Sequence, residues 1–194
     1  QPILQTSIKK PINNWYHFSV SRDDSELSMH IDGVREAQVT QDEIVTGAPI
    51  DMLYVGKSSS EDITGYFQGN IQDVRFYDDY SVYGNVDAFN QPNELEKTCV
   101  EKSFEPACIF TDLHLQSNIN NKKIFDSAKN RPVINNHNVV DSQDRVIRGN
   151  SSFYFDEKSF LLIEDNEDLS LGSDIFNIEL WVNFEKSIPP SHDM

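Results

Sequence analysis

The sequence predicts an all-β fold, an antiparallel sandwich, and three observations lead to that prediction. Several segments alternate apolar and polar residues as a strand does, the helical period of about 3.6 residues is nearly absent, and turn residues separate the segments. The chain has 194 residues, of which 38% are hydrophobic and 11% aromatic, so it can fill a core. We therefore expect a packed β protein rather than a disordered or helical one.

The first predicted strands form a meander. Residues 15–21 alternate apolar and polar side chains, and residues 27–31 repeat the pattern. Residues 23–25 join the two strands, and Asp32 and Gly33 end the second one in a tight turn. The two segments therefore indicate an antiparallel hairpin.

Two further strands are predicted at 52–56 and 66–77. In the longer one, Ile71 and Val74 are three residues apart, which breaks the two-residue period of a strand. If both side chains face inward, the strand must hold an extra residue. This spacing predicts a β-bulge near residues 72–73.

The second part of the chain carries strand patterns of the same kind. They lie at residues 109–110, 124–127, 152–156, 160–163, 168–172 and 176–182. Between the two parts, Pro92 can begin a short helix that runs through Leu95 and Cys99 to Lys102, and an ordered loop is the alternative. The middle of the chain is thus predicted to be a connection rather than part of a sheet.

Motifs in both parts resemble the laminin-G-like, concanavalin-A-like jelly-roll family. Domains of this family have a back half made of a Trp-His strand, an Asp-Gly hairpin, a Tyr-x-Gly strand and a closing Gly-x-Ile-x-Asp-Val-Arg-x-Tyr strand. The corresponding runs here are residues 14–20, 32–33, 53–56 and 69–78. The family's front half ends in an Ile-Glu-x-Trp-Val strand, which residues 178–182 resemble. The resemblance implies an antiparallel jelly-roll sandwich.

The two half-patterns occur in the reverse of the family's order. We interpret residues 1–85 as the C-terminal half of one laminin-G-like sandwich, 86–106 as a linker with a short helix, and 107–194 as the N-terminal half of a second sandwich. This order favours two partial domains in tandem within a longer chain, because isolated halves would expose strand edges. The alternative is one permuted sandwich, in which 107–184 packs against 1–79.

The charge of the chain argues against two classes of partner. Sixteen Lys and Arg against 32 Asp and Glu give a net charge of −16, whereas nucleic acids and anionic membranes require a basic surface. No apolar run approaches the roughly 20 residues that span a bilayer. We expect neighbouring copies, adjacent domains of the same chain, or glycans as partners, at an extracellular or virion surface.

Hydrolase activity is not expected. Glycosidases of the superfamily, as the resemblance implies, carry Glu-x-Asp-x-x-Glu on one strand, but Trp181 stands where the Asp belongs. Glu179 and Glu185 would lie about 20 Å apart on an extended strand, whereas glycoside hydrolysis requires carboxyl groups roughly 5–10 Å apart. We predict a non-enzymatic structural or adhesion module of a filament or surface fibre. The alternative is a lectin-like domain that recognises carbohydrate or protein, with or without calcium.

The sequence offers two candidate sites of covalent modification. Cys99 and Cys108 are predicted to form a disulfide in an oxidising compartment, and two free thiols in the cytosol are the alternative. Asn150 begins an Asn-Ser-Ser sequon and is a candidate glycosylation site in a secreted protein.

Calcium and sugar are the two ligands to consider. Laminin-G-like relatives often hold Ca²⁺ on a rim loop, and the acidic run 164–168 offers Asp165 and Asp168 as oxygen ligands, although most acidic loops are only solvated turns. Sugar binding requires exposed aromatic rings, for which Trp15, Tyr66 and Trp181 are candidates. A Trp in a strand of this fold more often belongs to the core.

Overall fold

The computed structural model describes most of the chain. The described residues are 4–6, 9–40, 52–58, 65–78, 83, 86–90, 99–102, 105–108, 113–117, 124–126, 131–132, 135–164 and 175–186. They contain strands and no helix, which confirms the predicted all-β fold. In these ranges there is accordingly no apolar helix of a length that would cross a membrane.

The strands pair antiparallel in three sheets. In chain order they are β1 (Trp15–Asp23), β2 (Glu26–Ile31), β3 (Val34–Thr40), β4 (Met52–Val55), β5 (Gln68–Asp78), β6 (Cys99–Lys102), β7 (Glu105–Cys108), β8 (Leu113–Gln116), β9 (Phe125–Asp126), β10 (Arg131–Pro132), β11 (Asn135–His137), β12 (Val140–Ser142), β13 (Ser152–Asp156), β14 (Phe160–Glu164) and β15 (Phe176–Phe184). The large sheet has the order β10-β9-β8-β5-β15-β1-β2-β3, with β13 also on β5 and β12 on β13. The small sheet has the order β11-β14-β4, and β6 pairs with β7.

The two halves of the chain share both main sheets. β15, from the front half, lies between β1 and β5 of the back half and pairs with both along nearly its whole length. In the small sheet, β4 of the back half pairs with β14 of the front half. Among the described residues the two halves thus pair with each other, as the permuted alternative expects. The division into 1–85, 86–106 and 107–194 remains a prediction.

One apolar core lies between the large and the small sheet. Its buried members are Tyr16, Ile31, Val55, Ile71, Val74, Phe76, Leu115, Ile124, Val139, Phe153, Phe155, Leu161 and Val182. They come from both halves of the chain, and Phe153, Phe155 and Leu161 are fully enclosed. Neither half therefore encloses this core by itself.

The bulge predicted in β5 is present. The register of β5 against β15 shifts between Glu179 and Trp181, and Asp73 adopts a left-handed backbone conformation with φ of 59°. The extra residue allows Ile71 and Val74 both to face the core, where they are buried.

The predicted helical linker at 86–106 is wrong where the structure describes it. Residues 99–102 are extended as β6, because their backbone pairs with β7 instead of closing helical turns. Ala88 forms a bridge with Val34 of β3, so residues 86–90 pack against the large sheet. Residues 91–98, which hold the start of the predicted helix, lie outside the described residues.

Candidate functional site

The face of the large sheet that points away from the core carries buried polar side chains. This polar face is formed by alternate residues of four strands: His17, Ser19 and Ser21 in β1, Ser28 and His30 in β2, Gln72, Arg75 and Tyr77 in β5, and Asn177, Glu179, Trp181 and Asn183 in β15. All of them are buried. Because burying a polar group is unfavourable unless it is hydrogen-bonded, their partners determine what this face can do.

Glu179 lies at the centre of the polar face and is 2% exposed. Its Oε1 accepts hydrogen bonds from the Tyr77 hydroxyl at 3.0 Å and from Arg75 Nη1 at 3.4 Å. Its Oε2 lies 3.3 Å from His17 Nε2 and accepts a hydrogen bond from the Tyr83 hydroxyl. Four groups therefore surround one carboxylate.

Arg75 connects Glu179 to a second buried acid. The guanidinium donates from Nε to Asp73 Oδ1 at 3.0 Å and from Nη2 to Asp73 Oδ2 at 2.9 Å. Arg75 is 1% and Asp73 is 3% exposed. The bulge in β5 brings the Asp73 carboxylate beside this guanidinium although the two residues are only two positions apart. One buried cation thus compensates two buried carboxylates.

The protonation states follow from these contacts. Burial raises the pKa of Glu179, but the hydrogen bond and charge of His17, the Tyr83 hydroxyl and the Arg75 charge together bring that pKa below its ordinary value. Burial and the Glu179 charge raise the pKa of the Tyr83 hydroxyl well above its usual range. Glu179 is therefore ionised and Tyr83 neutral at physiological pH. A carboxyl group held in the ionised form is unsuited to the general-acid step of glycoside hydrolysis.

Residues 86–90, named the covering segment, lie along one side of the polar face. The Phe89 amide donates to the Gly33 carbonyl at 2.8 Å, and the Arg35 amide donates to the Asp87 carbonyl at 2.9 Å. Gly33 has φ of 79°, and a Cβ there would overlap the Phe89 carbonyl oxygen. Glycine is therefore required where the covering segment crosses the β2–β3 turn.

Two aromatic rings complete this cover. The rings of Tyr83 and Phe89 stack with their centroids 3.6 Å apart and an interplanar angle of 6°. The Phe89 ring meets His17 edge-on at 6.0 Å and His30 at 5.1 Å. The covering segment and Tyr83 thus shield both histidines from water.

Arg148 covers the next part of the polar face. Its guanidinium carbon lies 4.6 Å from the centroid of the Trp181 ring. The Gln72 side chain holds this loop, because its Oε1 accepts hydrogen bonds from the Ile147 amide at 3.1 Å and the Arg148 amide at 3.4 Å. Trp181 is 4% exposed, so this candidate sugar-binding ring is buried.

A protein-family model matches part of the chain. Residues 3–81 match the Laminin_G_3 model of the concanavalin A-like lectin/glucanases superfamily. Residues 3–81 are thus similar to a laminin-G-like domain. No curated protein and no solved structure matches the chain. The match covers most of the predicted back half, and in the structure β15 and β14 pair with strands of this matched region.

Sequence reasoning considered Glu179 only as a possible catalytic acid and missed the network around it. The available signal was that the side chains opposite the apolar face of β1 and β15 include His17, Glu179 and Trp181 rather than the Lys and Glu usual on a solvated face. What covers them could not be foreseen. The polar face is closed by Tyr83 and the covering segment, which are remote in sequence from β15.

The outer face of the small sheet presents a second group of side chains, named the aromatic cluster: Tyr54, Lys57, Tyr66, His137 and Phe160. The Phe160 ring stacks on His137 at 4.1 Å and lies 5.9 Å from Tyr54 and 6.4 Å from Tyr66. Lys57 Nζ lies 5.0 Å from the Phe160 centroid, and no described carboxylate forms an ion pair with it. His137 is exposed and the others are partly exposed. Tyr66, a predicted sugar-binding aromatic, is thus accessible here, and the partly exposed Trp15 lies outside this cluster.

The structure gives the positions of the predicted disulfide and glycosylation sites. Cys99 lies opposite Cys108 in the β6–β7 pair. Opposed Cα atoms of antiparallel strands are about 4.5–5.5 Å apart, within the range of about 4.4–6.8 Å for disulfides. Asn150 is exposed, and Ser152 of its sequon is buried with its hydroxyl donating to the Arg145 carbonyl at 2.6 Å. Both modifications remain predictions.

The predicted calcium ligands Asp165 and Asp168 lie outside the described residues. Among the residues that the structure describes, no three His, Cys, Asp or Glu side chains converge as a metal-binding group. Calcium binding therefore remains a prediction for the 164–168 run.

His30 gives the domain a pH-dependent stability. Its Nε2 lies 2.9 Å from the Val86 carbonyl oxygen, as a donor to it. Burial lowers the pKa of His30 below 6.5, the Val86 hydrogen bond opposes this, Arg35 and His17 lower it further and Asp87 raises it. Because the folded state then binds the proton more weakly than the unfolded chain, stability is complete above pH 6.5 and decreases as the pH falls toward the folded pKa.

We therefore expect the urea midpoint to fall between pH 7.5 and pH 5, and the fall to be smaller in a His30→Gln variant. The matched control is His137→Gln, which alters an exposed imidazole. An identical pH profile for His30→Gln and the wild type would show that His30 is not the titrating group.

Proposed function

We propose that this chain is a non-enzymatic structural or adhesion module. The observation that supports the proposal is the enclosed Glu179. The carboxylate is ionised, bound by Arg75, Tyr77, His17 and Tyr83, and 2% exposed. The part of the polar face around Glu179 is thus enclosed and hydrogen-bonded, rather than an open groove for a polysaccharide.

The proposed setting is a filament or surface fibre at an extracellular or virion surface, with neighbouring copies or adjacent domains of the same chain as partners. The net charge of −16 supports a soluble surface that avoids nucleic acids and anionic membranes. Cys99 opposite Cys108 and the exposed Asn150 are compatible with a secreted protein.

The test is to incubate the folded protein with a panel of soluble glucans and to measure newly formed reducing ends. We expect none above the level of a heat-denatured sample. Hydrolysis that is abolished by Glu179→Gln, in a variant whose circular dichroism remains native, would overturn the non-enzymatic proposal.

The aromatic cluster supports a second candidate function, lectin-like recognition. Its rings and the Lys57 ammonium offer the apolar contacts and the charge that a saccharide requires. On a glycan array this function predicts binding that Tyr66→Ala removes and Val140→Ala, at an exposed site, leaves intact. Loss of the binding in EDTA would indicate a requirement for a divalent metal, for which Asp165 and Asp168 are the predicted ligands. An array without any signal would exclude this candidate.

The disulfide proposal gives a further prediction. Protein from an oxidising compartment is expected to gain about 2 Da on reduction and to lose roughly 2–3 kcal/mol of stability in a Cys99→Ser variant, because the bond closes a short loop. Intact-mass spectrometry and urea unfolding measure the two effects. Two alkylatable thiols in the unreduced protein would establish free cysteines.

A further inference from the structure

The central strand of the large sheet comes from the opposite half of the chain. β15 pairs with β1 from Trp15 opposite Asn183 to Arg22 opposite Phe176. On its other edge it pairs with β5. The back half, β1 to β5, therefore leaves a gap between β1 and β5 that only a strand like β15 fills.

Most of the contacts that fill this gap come from the two halves themselves and not from the connection between them. In the described part of that connection, β6 and β7 pair with each other and with no strand of the main sheets. The front half, β8 to β15, is held by strand ladders and core packing, and Tyr83 of the connection adds one hydrogen bond to Glu179. A second copy of the chain presents the same front half with the same contacts.

We propose that copies of this chain exchange front halves, so that β8–β15 of one copy completes β1–β5 of another. Exchange of an identical element between copies creates no new interface, because it reuses the contacts of the closed monomer. A reciprocal exchange gives a closed dimer, whereas a one-way exchange along a series of copies gives an open chain.

The polar face restricts the partner to a copy of this chain. Glu179 belongs to the front half, whereas its partners His17 and Arg75 belong to the back half. A foreign strand without a carboxylate at this position would leave Arg75 with Asp73 as its one described counter-ion. A β15 strand shifted in register by one residue would place Glu179 in the apolar core. The gap therefore selects a strand with the β15 sequence in the β15 register.

The exchange of front halves rests on the proposed structural role, because it specifies the partner and the manner of assembly for that role. The exchange and the structural role can each be disproved without the other. Hydrolysis and glycan binding test the role, whereas the pairing of halves between chains is measured by complementation.

The experiment uses two full-length variants, each with one half disabled. Val182→Asp buries a charge in β15, and Ile31→Asp does so in β2, at positions that are 5% and 1% exposed. Each variant alone is expected to lack the near-ultraviolet circular dichroism of the native core. After denaturation and joint refolding, the intact front half of one chain and the intact back half of the other should form a 1:1 complex with native dichroism.

The matched control mixes Ile31→Asp with Ile71→Asp, which disable the same half and must not complement each other.

Wild-type chains of two isotopic masses provide a second measurement by native mass spectrometry. Mixed dimers should form when the two are refolded together at high concentration and should be absent when native monomers are mixed. Failure of the first pair to complement, complementation by the control pair, or the absence of mixed dimers after joint refolding would each overturn the proposal.

Discussion

Replacing Arg75 by methionine is expected to lower the free energy of unfolding by about 3–5 kcal/mol. The reason is that the substitution leaves the Asp73 and Glu179 carboxylates buried without the guanidinium that contacts both. Removing one partner of a buried ion pair is far more destabilising than removing a surface pair. Urea unfolding at pH 7, followed by the fluorescence of the buried Trp181, measures the loss.

The matched control is Arg35→Met. Arg35 forms an ion pair with Asp87, whose side chain is 87% exposed, so we expect a change of at most about 1 kcal/mol. Adding Glu179→Gln to Arg75→Met should recover part of the lost stability, because it removes one of the two buried charges that have lost the guanidinium. Equal losses for Arg75→Met and Arg35→Met would contradict a buried, coupled network on the polar face.

Phe155→Ala is expected to lower the free energy of unfolding by about 3–5 kcal/mol. Phe155 is completely buried in the core, where its ring centroid lies 5.8 Å from that of Phe67. Truncation leaves a cavity because strands β5 and β12 flank β13 and limit its collapse. Val140→Ala, at a side chain that is 54% exposed, is the control and should change stability by about 0.5 kcal/mol or less.

Substitution of Gly56 tests the packing around the Phe155 ring more specifically. A Cβ on Gly56 would overlap the Phe155 ring, and the backbone there has φ of 87°. Gly56→Ala should therefore be strongly destabilising in the wild type but cost much less in the Phe155→Ala background, where the ring is gone. A double-mutant cycle measures this coupling. Additive effects of the two substitutions would mean that the clash is relieved by movement elsewhere.

The sequence was informative where structure depends on near neighbours. The alternation in residues 15–21 and 27–31 predicted β1 and β2, and the spacing of Ile71 and Val74 predicted the bulge. These features follow from strand geometry within a few residues. The pairing of the two halves could not be derived in this way, because β15 and its neighbour β1 are remote in sequence and either tandem or permuted closure satisfies the same local patterns.

The candidate site was less predictable than the fold. The sequence shows Trp181 at the position of the Asp in the glycosidase motif, but nothing local indicates that Arg148 covers its ring. The same holds for Tyr83, whose hydroxyl reaches Glu179 from outside both strands. Such contacts depend on where connections cross a sheet, and single-sequence patterns carry no information on that.

The position of β15 also determines when the large sheet can be completed during synthesis. The ribosome releases β1 and β5 first, and at about 5–20 residues per second the strand that belongs between them follows roughly 5–20 s later, about 100 residues on. During that interval two strand edges and one face of the future core are exposed on a nascent chain. Translation speed and chaperone occupancy should therefore influence the yield of folded protein more than they would in a domain whose neighbouring strands are consecutive. A pause placed between Asp78 and Phe176 is the condition under which aggregation of nascent chains should be most visible.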